Sequence, residues 1–175
     1  EACPNNLAPT TSTTAQLVMG DAIAICLLEM RGFDKNNFAK FHPGGSLGKA
    51  LYLKVNALVD RKNIPAVQPN SSLSDVIIEI GEKLVGATAV LKNEKVCGII
   101  TDGDIRRVLE KTSDLSSIRA KDIMNPTPKM IEADILASEA LNTMQKNNIS
   151  QLLVMKNDEF IGIIHLHNIL NEGIS

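Results

Sequence analysis

The spacing of apolar positions changes several times along the 175-residue chain, and each change marks an element. Over residues 14–31 apolar side chains fall on most faces of a helical wheel, which predicts a helix needing cover on more than one side. Arg31-Gly32 is the predicted stop. A polar stretch follows, then His42-Pro43-Gly44-Gly45-Ser46-Leu47-Gly48. Leu73, Val76, Ile77, Ile80 and Leu84 keep helical spacing, and Ser72 with Asp75 three residues on predicts a capping box. An apolar run over 87–91, a polar turn over 92–95 and a second β-like run over 96–101 predict a hairpin. Asp102 opens a helix expected to continue through Glu110.

The same grammar then returns. Residues 89–100 align with 153–164 at a constant offset of 64, without a gap. At that offset Thr101 meets His165, Asp104 meets Asn168, and Leu73, Val76, Ile77 and Ile80 meet Ala137, Ala140, Leu141 and Met144. The second unit is therefore predicted as helix 137–147, strands 151–155 and 159–164, and helix 166–172. Each unit is a helix, a hairpin and a helix, with a short extended segment in front. A hairpin plus two helices leaves apolar faces uncovered, and two units packed together cover them. Residues 111–120, with Ser113, Ser116 and Ser117, form a polar linker. Residues 1–54 stand outside the repeat, as a piece whose core partners are missing. The chain starts at Glu1 rather than Met, and is expected to be part of a longer protein.

Composition narrows the function. Hydrophobic residues make up 44% and charged residues 22%, enough for a buried core and against global disorder. A net charge of −2 argues against a general nucleic-acid binder, which needs a basic face. Aromatics at 3% leave little for a base-stacking platform. Cys3, Cys26 and Cys97 are far apart and odd in number, and read as free or buried thiols in a reducing compartment. The most apolar stretch, 15–30, contains Gln16, Gly20, Asp21 and Glu29; it is expected to be a core helix, too short and polar for a bilayer.

The repeat resembles a tandem pair of CBS (cystathionine β-synthase-type) motifs. The resemblance rests on residues 98–107, Gly-Ile-Ile-Thr-Asp-Gly-Asp-Ile-Arg-Arg, and on Lys121-Asp122-Ile123-Met124 at the start of the second unit. Glu1-Ala2-Cys3-Pro4, Leu7-Ala8-Pro9-Thr10, Ser12-Thr13-Thr14-Ala15, Met19-Gly20-Asp21-Ala22 and His42-Pro43-Gly44-Gly45 are similar to the end of a SIS (sugar isomerase) domain. Together they resemble the D-arabinose-5-phosphate isomerase family of bacterial Kdo (lipopolysaccharide) biosynthesis. The implied fold is mixed α/β (α+β): a tandem CBS-motif pair with pseudo-twofold symmetry, preceded by the C-terminal remnant of a SIS α/β domain. The implied boundaries are 1–54 for the SIS remnant, 55–111 for the first CBS motif and 119–175 for the second.

The resemblance also implies roles. Glu1 and His42 fall on the family's acid–base positions for interconverting D-ribulose 5-phosphate and D-arabinose 5-phosphate. Isomerisation through an enediol needs a base that moves a proton between C1 and C2, plus a group that handles ring opening. From the residues alone, a lone loop His is more often a structural hydrogen-bonder, and Glu1 has no context. The family's Ser-rich phosphate loops, a catalytic Lys and an acidic residue belong to the front of the SIS domain, outside this chain. In the CBS pair, Thr101 and Asp104 are expected at a nucleotide, with Thr101 at phosphate or ribose and Asp104 accepting from ribose hydroxyls. The plain alternative is that Asp102 and Asp104 cap and acidify a helix N-terminus. Arg106 and Arg107 add phosphate contacts, one of them reading better as a solvated face. In the second unit His165, His167 and Asn168 are the ligand-binding candidates. Two alternating His fall short of the three or four ligands a metal needs, so no metal is expected. No cofactor is required, and a nucleotide or CMP-sugar is the expected effector. The expected partners are a sugar phosphate, that effector and a second copy of the CBS pair, with neither nucleic acid nor membrane, in the bacterial cytoplasm. For the chain alone, a non-catalytic ligand-sensing or dimerisation module is the alternative.

Overall fold

A computed structural model describes residues 1–42, 44–111 and 114–175, together with all their side chains except those of Ser46 and Leu47. Pro43 and Ser113, on which the loop and linker arguments drew, lie outside the described residues. The chain divides into two units, Glu1–Pro43 and Gly44–Ser175.

The first unit is helical. Helix α1 spans Thr11–Met30 and α2 spans Lys35–Phe41. α1 ends where the sequence placed its stop. Gly32 takes φ 59°, its N–H donates to Glu29, and the Phe33 N–H donates to Leu28, a Schellman turn that satisfies the last carbonyls. Asp34 then caps α2 by accepting from the Asn37 N–H at 2.8 Å. No residue of α1 is buried, and Leu17, Val18, Met19, Ile23 and Ile25 are all more than half exposed. This is the uncovered helix that its all-round apolar pattern predicts. The bilayer argument needs correction. Starting at Thr11, α1 has 20 residues, and an 18-residue window within it has a mean hydropathy of 1.3, so by length and composition alone it is long and apolar enough to cross a membrane, a test that the core helix of a soluble protein also passes.

The second unit holds the repeat. Its first motif contains β1 (Ala66–Val67), α4 (Leu73–Lys83), β2 (Ala87–Lys92), β3 (Lys95–Thr101) and α5 (Asp102–Lys111). The second contains β4 (Met130–Glu132), α7 (Ala137–Asn147), β5 (Gln151–Lys156), β6 (Glu159–His165) and α8 (Leu166–Leu170). Each forms a three-stranded sheet with one parallel and one antiparallel pair. The registers match: Ala89 pairs with Ile99 and Leu153 with Ile163, with a bulge after Val90 and after Val154. Both hairpins turn through two residues of positive φ, Asn93-Glu94 and Asn157-Asp158, the geometry that suits the strand twist. Ser72 and Asp75 make the expected capping box. The last helix ends at Leu170 rather than 172, because the chain turns there and buries Ile174 in the core.

The two motifs exchange their leading segments. Val55 and Asn56 donate to the carbonyls of Ile135 and Ala133 in the second motif, while Ala120 and Lys121, at the start of α6 (Ala120–Ile123), donate to Ser71 and Pro69 in the first. Val55 and Val59 are therefore buried with Leu141, Met144 and Ile164, and Ala120 with Val76, Ile80 and Ile100. A third cluster, Ala87, Ala89, Ile99, Leu153 and Ile163, joins the two sheets. Gly98 and Gly162 stand where the exchanged segments cross. A Cβ at Gly98 would lie 2.6 Å from the Met124 sulfur, and one at Gly162 2.6 Å from a Val59 methyl.

Helix α3 (Ser46–Tyr52) corrects the reading of 1–54 as one piece apart from the repeat. Ala50 and Leu53 pack on the second motif's core, and the Ala137 N–H donates to the Leu53 carbonyl at 2.7 Å. The segment is apolar on one side and too short to form a core alone, so it docks on α7.

Candidate functional site: the cleft between the CBS motifs

At the end of β3 the chain turns straight into α5, leaving helix N–H groups that need acceptors. Asp104 supplies one for the residue just before the helix. Its Oδ2 accepts from the Thr101 N–H at 2.8 Å and from the Thr101 hydroxyl at 2.6 Å. Its other oxygen accepts from Arg107. Asp104 thus caps the helix as the plain alternative holds, and the same arrangement fixes Thr101, Asp104 and Arg107 on one wall of a cleft.

The opposite wall comes from the second motif: Asn125, Pro128 and Lys129 ahead of β4, then Ile149 and Gln151 at the start of β5. Together with Ile99 they enclose about 210 Å³. That is below the ~300–1,000 Å³ common for small-molecule sites, so in this conformation the space suits a small chemical group rather than a whole drug-sized molecule. Asp104 and Arg107 offset each other's charge, and Lys129 leaves the cleft net positive, which favours an anionic group.

Asn125, Lys129 and Gln151 escaped the sequence argument. Their one signal is Asn125-Pro126-Thr127-Pro128, a turn-forming run in which the Asn125 side chain accepts from the Thr127 N–H at 3.0 Å and its hydroxyl at 3.1 Å. The backbone of Asn125 pairs with Ile99 in both directions, which brings this run against β3. Arg106 is exposed and outside the cleft lining, so Arg107 is the arginine that the fold brings to Thr101 and Asp104.

The second motif repeats the cap with other groups. The Asn168 carboxamide oxygen accepts from the His165 N–H at 2.9 Å, and His165 Nδ1 accepts from the His167 N–H at 3.1 Å. With Nδ1 accepting, the neutral imidazole carries its proton on Nε2. Burial, and then the neighbouring His167, lower the His165 pKa below its ordinary value. The two rings lie 5.0 Å apart. Among the described residues no group of three or more metal-ligating side chains forms there. His167 and Asn168 are exposed.

Glu1 and His42 lie in the first unit. Glu1 Oε2 accepts from the N–H groups of Thr10, Thr11 and Ser12 at 2.7, 2.6 and 3.2 Å, at the N-terminus of α1. Hydrogen bonds from Ser12, side chain and backbone, and then from Thr11 and Thr10, hold its carboxyl down at about 2. His42 follows α2, with its ring 4.4 Å from Phe38 and its N–H on the Phe38 carbonyl. Among the described residues no hydrogen bond or ring contact joins Glu1 to His42.

The fold and the cleft between exchanged motifs define the class. A family model of the CBS domain matches residues 55–111 and 120–175, and the chain belongs to the CBS-domain family. Over 99% of its length it is also 44% identical to the arabinose 5-phosphate isomerase KdsD of Yersinia pestis, of which it covers 54%. The chain spans about half the length of the curated relatives it matches. Among solved structures it is similar to CBSX2 in complex with AMP, with a TM-score of 0.58, 22% identity, and 70% of this chain and 96% of that one covered. It is similar also to the CBS domain of the bacterial CNNM/CorC family Mg2+ transporter in complex with ATP, with a TM-score of 0.61, 16% identity, and 72% and 89% covered. At these identities the two structures speak to the fold.

Proposed function

We propose that the chain works within an aldose–ketose isomerase that interconverts D-ribulose 5-phosphate and D-arabinose 5-phosphate for Kdo and lipopolysaccharide synthesis in the bacterial cytoplasm. Its CBS pair is the regulatory half and takes a nucleotide or a CMP-sugar. The observation that carries the regulatory role is the cleft in which Thr101, Asp104 and Arg107 of one motif face Lys129 and Gln151 of the other. A phosphate meets Arg107 and Lys129 there, and ribose hydroxyls donate to the free lone pairs of Asp104. The names of the 44%-identical relatives support the catalytic role. No redox cofactor takes part, because the reaction shifts a proton between neighbouring carbons. Residues 1–54 supply Glu1 and His42 as acid–base groups of a SIS domain whose other parts cover α1. The Glu1 carboxyl at about 2 is ionised at neutral pH, and while it keeps these N–H partners it is a weak base, so the acid–base role requires that they be released.

Isothermal calorimetry of the chain against AMP, ATP and the CMP-activated sugar tests the regulatory role. One of the three binds, and binding weakens in Asp104→Ala; no heat with any of them sinks the effector. For catalysis, His42→Ala in the whole enzyme abolishes most of the turnover while nucleotide binding is unchanged. Equal turnover removes His42 from the mechanism.

A specific observation also favours self-association. Ile77, Gly81, Leu84 and Leu109 line an open apolar groove between α4 and α5, and Leu84 is 87% exposed. A second CBS pair covers it in our reading. Leu109→Lys then lowers the mass seen by sedimentation, and an unchanged mass removes this surface from assembly.

A further inference from the structure

The segment that leads away from His42 is anchored on the second CBS motif. Seven residues after His42, Lys49 Nζ donates to Glu172 Oε2 at 2.7 Å. The Ser138 hydroxyl donates to the Ala50 carbonyl at 2.9 Å, which fixes the next residue of α3 to α7. Glu172 lies two residues beyond α8, and α8 begins at the cap formed by His165 and Asn168. One five-residue helix, about 7 Å long, therefore has the His165–Asn168 cap at one end and the Lys49–Glu172 ion pair just beyond the other.

We propose that Lys49 is a positioning residue: through Glu172 it makes the placement of α3 depend on the state of the CBS pair. The proposal rests on the nucleotide-responsive role given above. A ligand that draws on Asn168 competes with the His165 N–H for the carboxamide, and so loosens the N-terminal cap of α8. A ligand in the Thr101–Asp104 cleft acts on the same core from the other side, through Gln151 at the start of β5. Either shifts α8 and Glu172 relative to α7. Ala50 and Leu53 share the core that holds Ile169 and Ile174, so α3 follows. By linkage, a ligand that favours the latched state must in turn bind more tightly when the latch is intact.

Amide hydrogen exchange of residues 49–53, with and without AMP, tests this on the 175-residue chain. Saturation with AMP is established first by calorimetry. In the wild type AMP changes the exchange of these amides by about two- to five-fold, the range a partly exposed ion pair can transmit. In Glu172→Gln the AMP-dependent change disappears, and in Lys49→Arg, which keeps the charge, it remains. AMP that binds without altering exchange at 49–53 overturns the latch and leaves the nucleotide cleft standing. An equal AMP effect in wild type and Glu172→Gln also overturns it. If AMP does not bind, the exchange is read with whichever of ATP or the CMP-activated sugar does; if none of the three binds, the nucleotide site itself falls, and the latch falls with it.

Discussion

The two CBS motifs run through the same order of elements at an offset of 64, yet they present different chemistry at the same turn. In both, a side-chain oxygen three residues into the helix accepts the N–H of the last strand residue, at 2.8 Å from Thr101 and 2.9 Å from His165. In the first motif that oxygen belongs to a carboxylate held by Arg107. In the second it is a neutral amide beside a neutral imidazole. The cap is a requirement of the fold, since the N–H at the strand-to-helix turn must be satisfied in either motif. The charge is not, so it was free to diverge. A second difference lies at the outer helices. Ile174 folds back into the second motif's core, whereas the first motif leaves Leu109 47% exposed beside an open groove. One motif is closed at its outer helices; the other keeps a charged cleft and an uncovered apolar edge.

The largest effect expected from breaking this symmetry is at the crossing glycines. Gly162→Ala meets Val59 at 2.6 Å and forces a side chain onto a φ of +145°, so steric overlap and backbone strain add. It should cost about 3 kcal/mol or more. Gly98→Ala meets Met124 Sδ at 2.6 Å, on a flexible side chain that can move, and the Asn125 carbonyl oxygen at 3.0 Å, where the backbone must give by a few tenths of an ångström; without a positive φ it should cost less, about 1–2 kcal/mol. Urea unfolding of both variants checks the order, and equal losses would mean that the crossings are not packed as described.

Next comes the cleft. Asp104→Ala removes an acceptor from cap and ligand together, and should weaken nucleotide binding by about 1.5–3 kcal/mol. Asp104→Asn copies the second motif; it keeps the cap and lowers affinity, which separates the two roles. Asn168→Ala should cost less affinity than Asp104→Ala. Calorimetry that finds the reverse places the principal cleft at the second motif.

A smaller effect separates the motifs by pH. The folded His165 pKa lies below its unfolded value, so the unfolded chain binds the extra proton first. Stability is therefore highest above about pH 6.5, the ordinary His value, and falls as the pH drops below it. His165→Thr, which restores the first motif's residue, should flatten that part of the profile. An unchanged profile in thermal melts from pH 5 to 8 takes His165 out of it.

The smallest concerns α1. The Glu1 carboxyl is held at about 2, below its ordinary 4.5, so the hold on the first turn is present above pH 4.5 and is lost as the pH falls towards 2. Exchange of the Thr10–Ser12 amides should quicken over that range, and Glu1→Gln should remove the pH dependence. Acid-insensitive amides would mean that another group holds the turn.

Much of this molecule follows from local pattern. The 64-residue repeat, the Ser72–Asp75 capping box, the paired positive-φ hairpin turns and the Schellman stop at Gly32 each rest on residues within a few positions of one another. Helical and strand periods and turn chemistry act at that range, so the sequence alone determined them. It also pointed to Thr101 and Asp104, because a strand-to-helix turn with acidic first residues is a local signal, but it left Arg106 and Arg107 undivided, and the fold brought only Arg107 to the cleft. What it did not contain was the partner of each face. Val55 donates to Ile135, Lys49 to Glu172, and Lys129 faces Asp104, across separations with no periodic trace in the chain. Those pairings, the exchange of leading segments and the docking of α3 on α7 were decided by which apolar surfaces remained open once the local elements had formed.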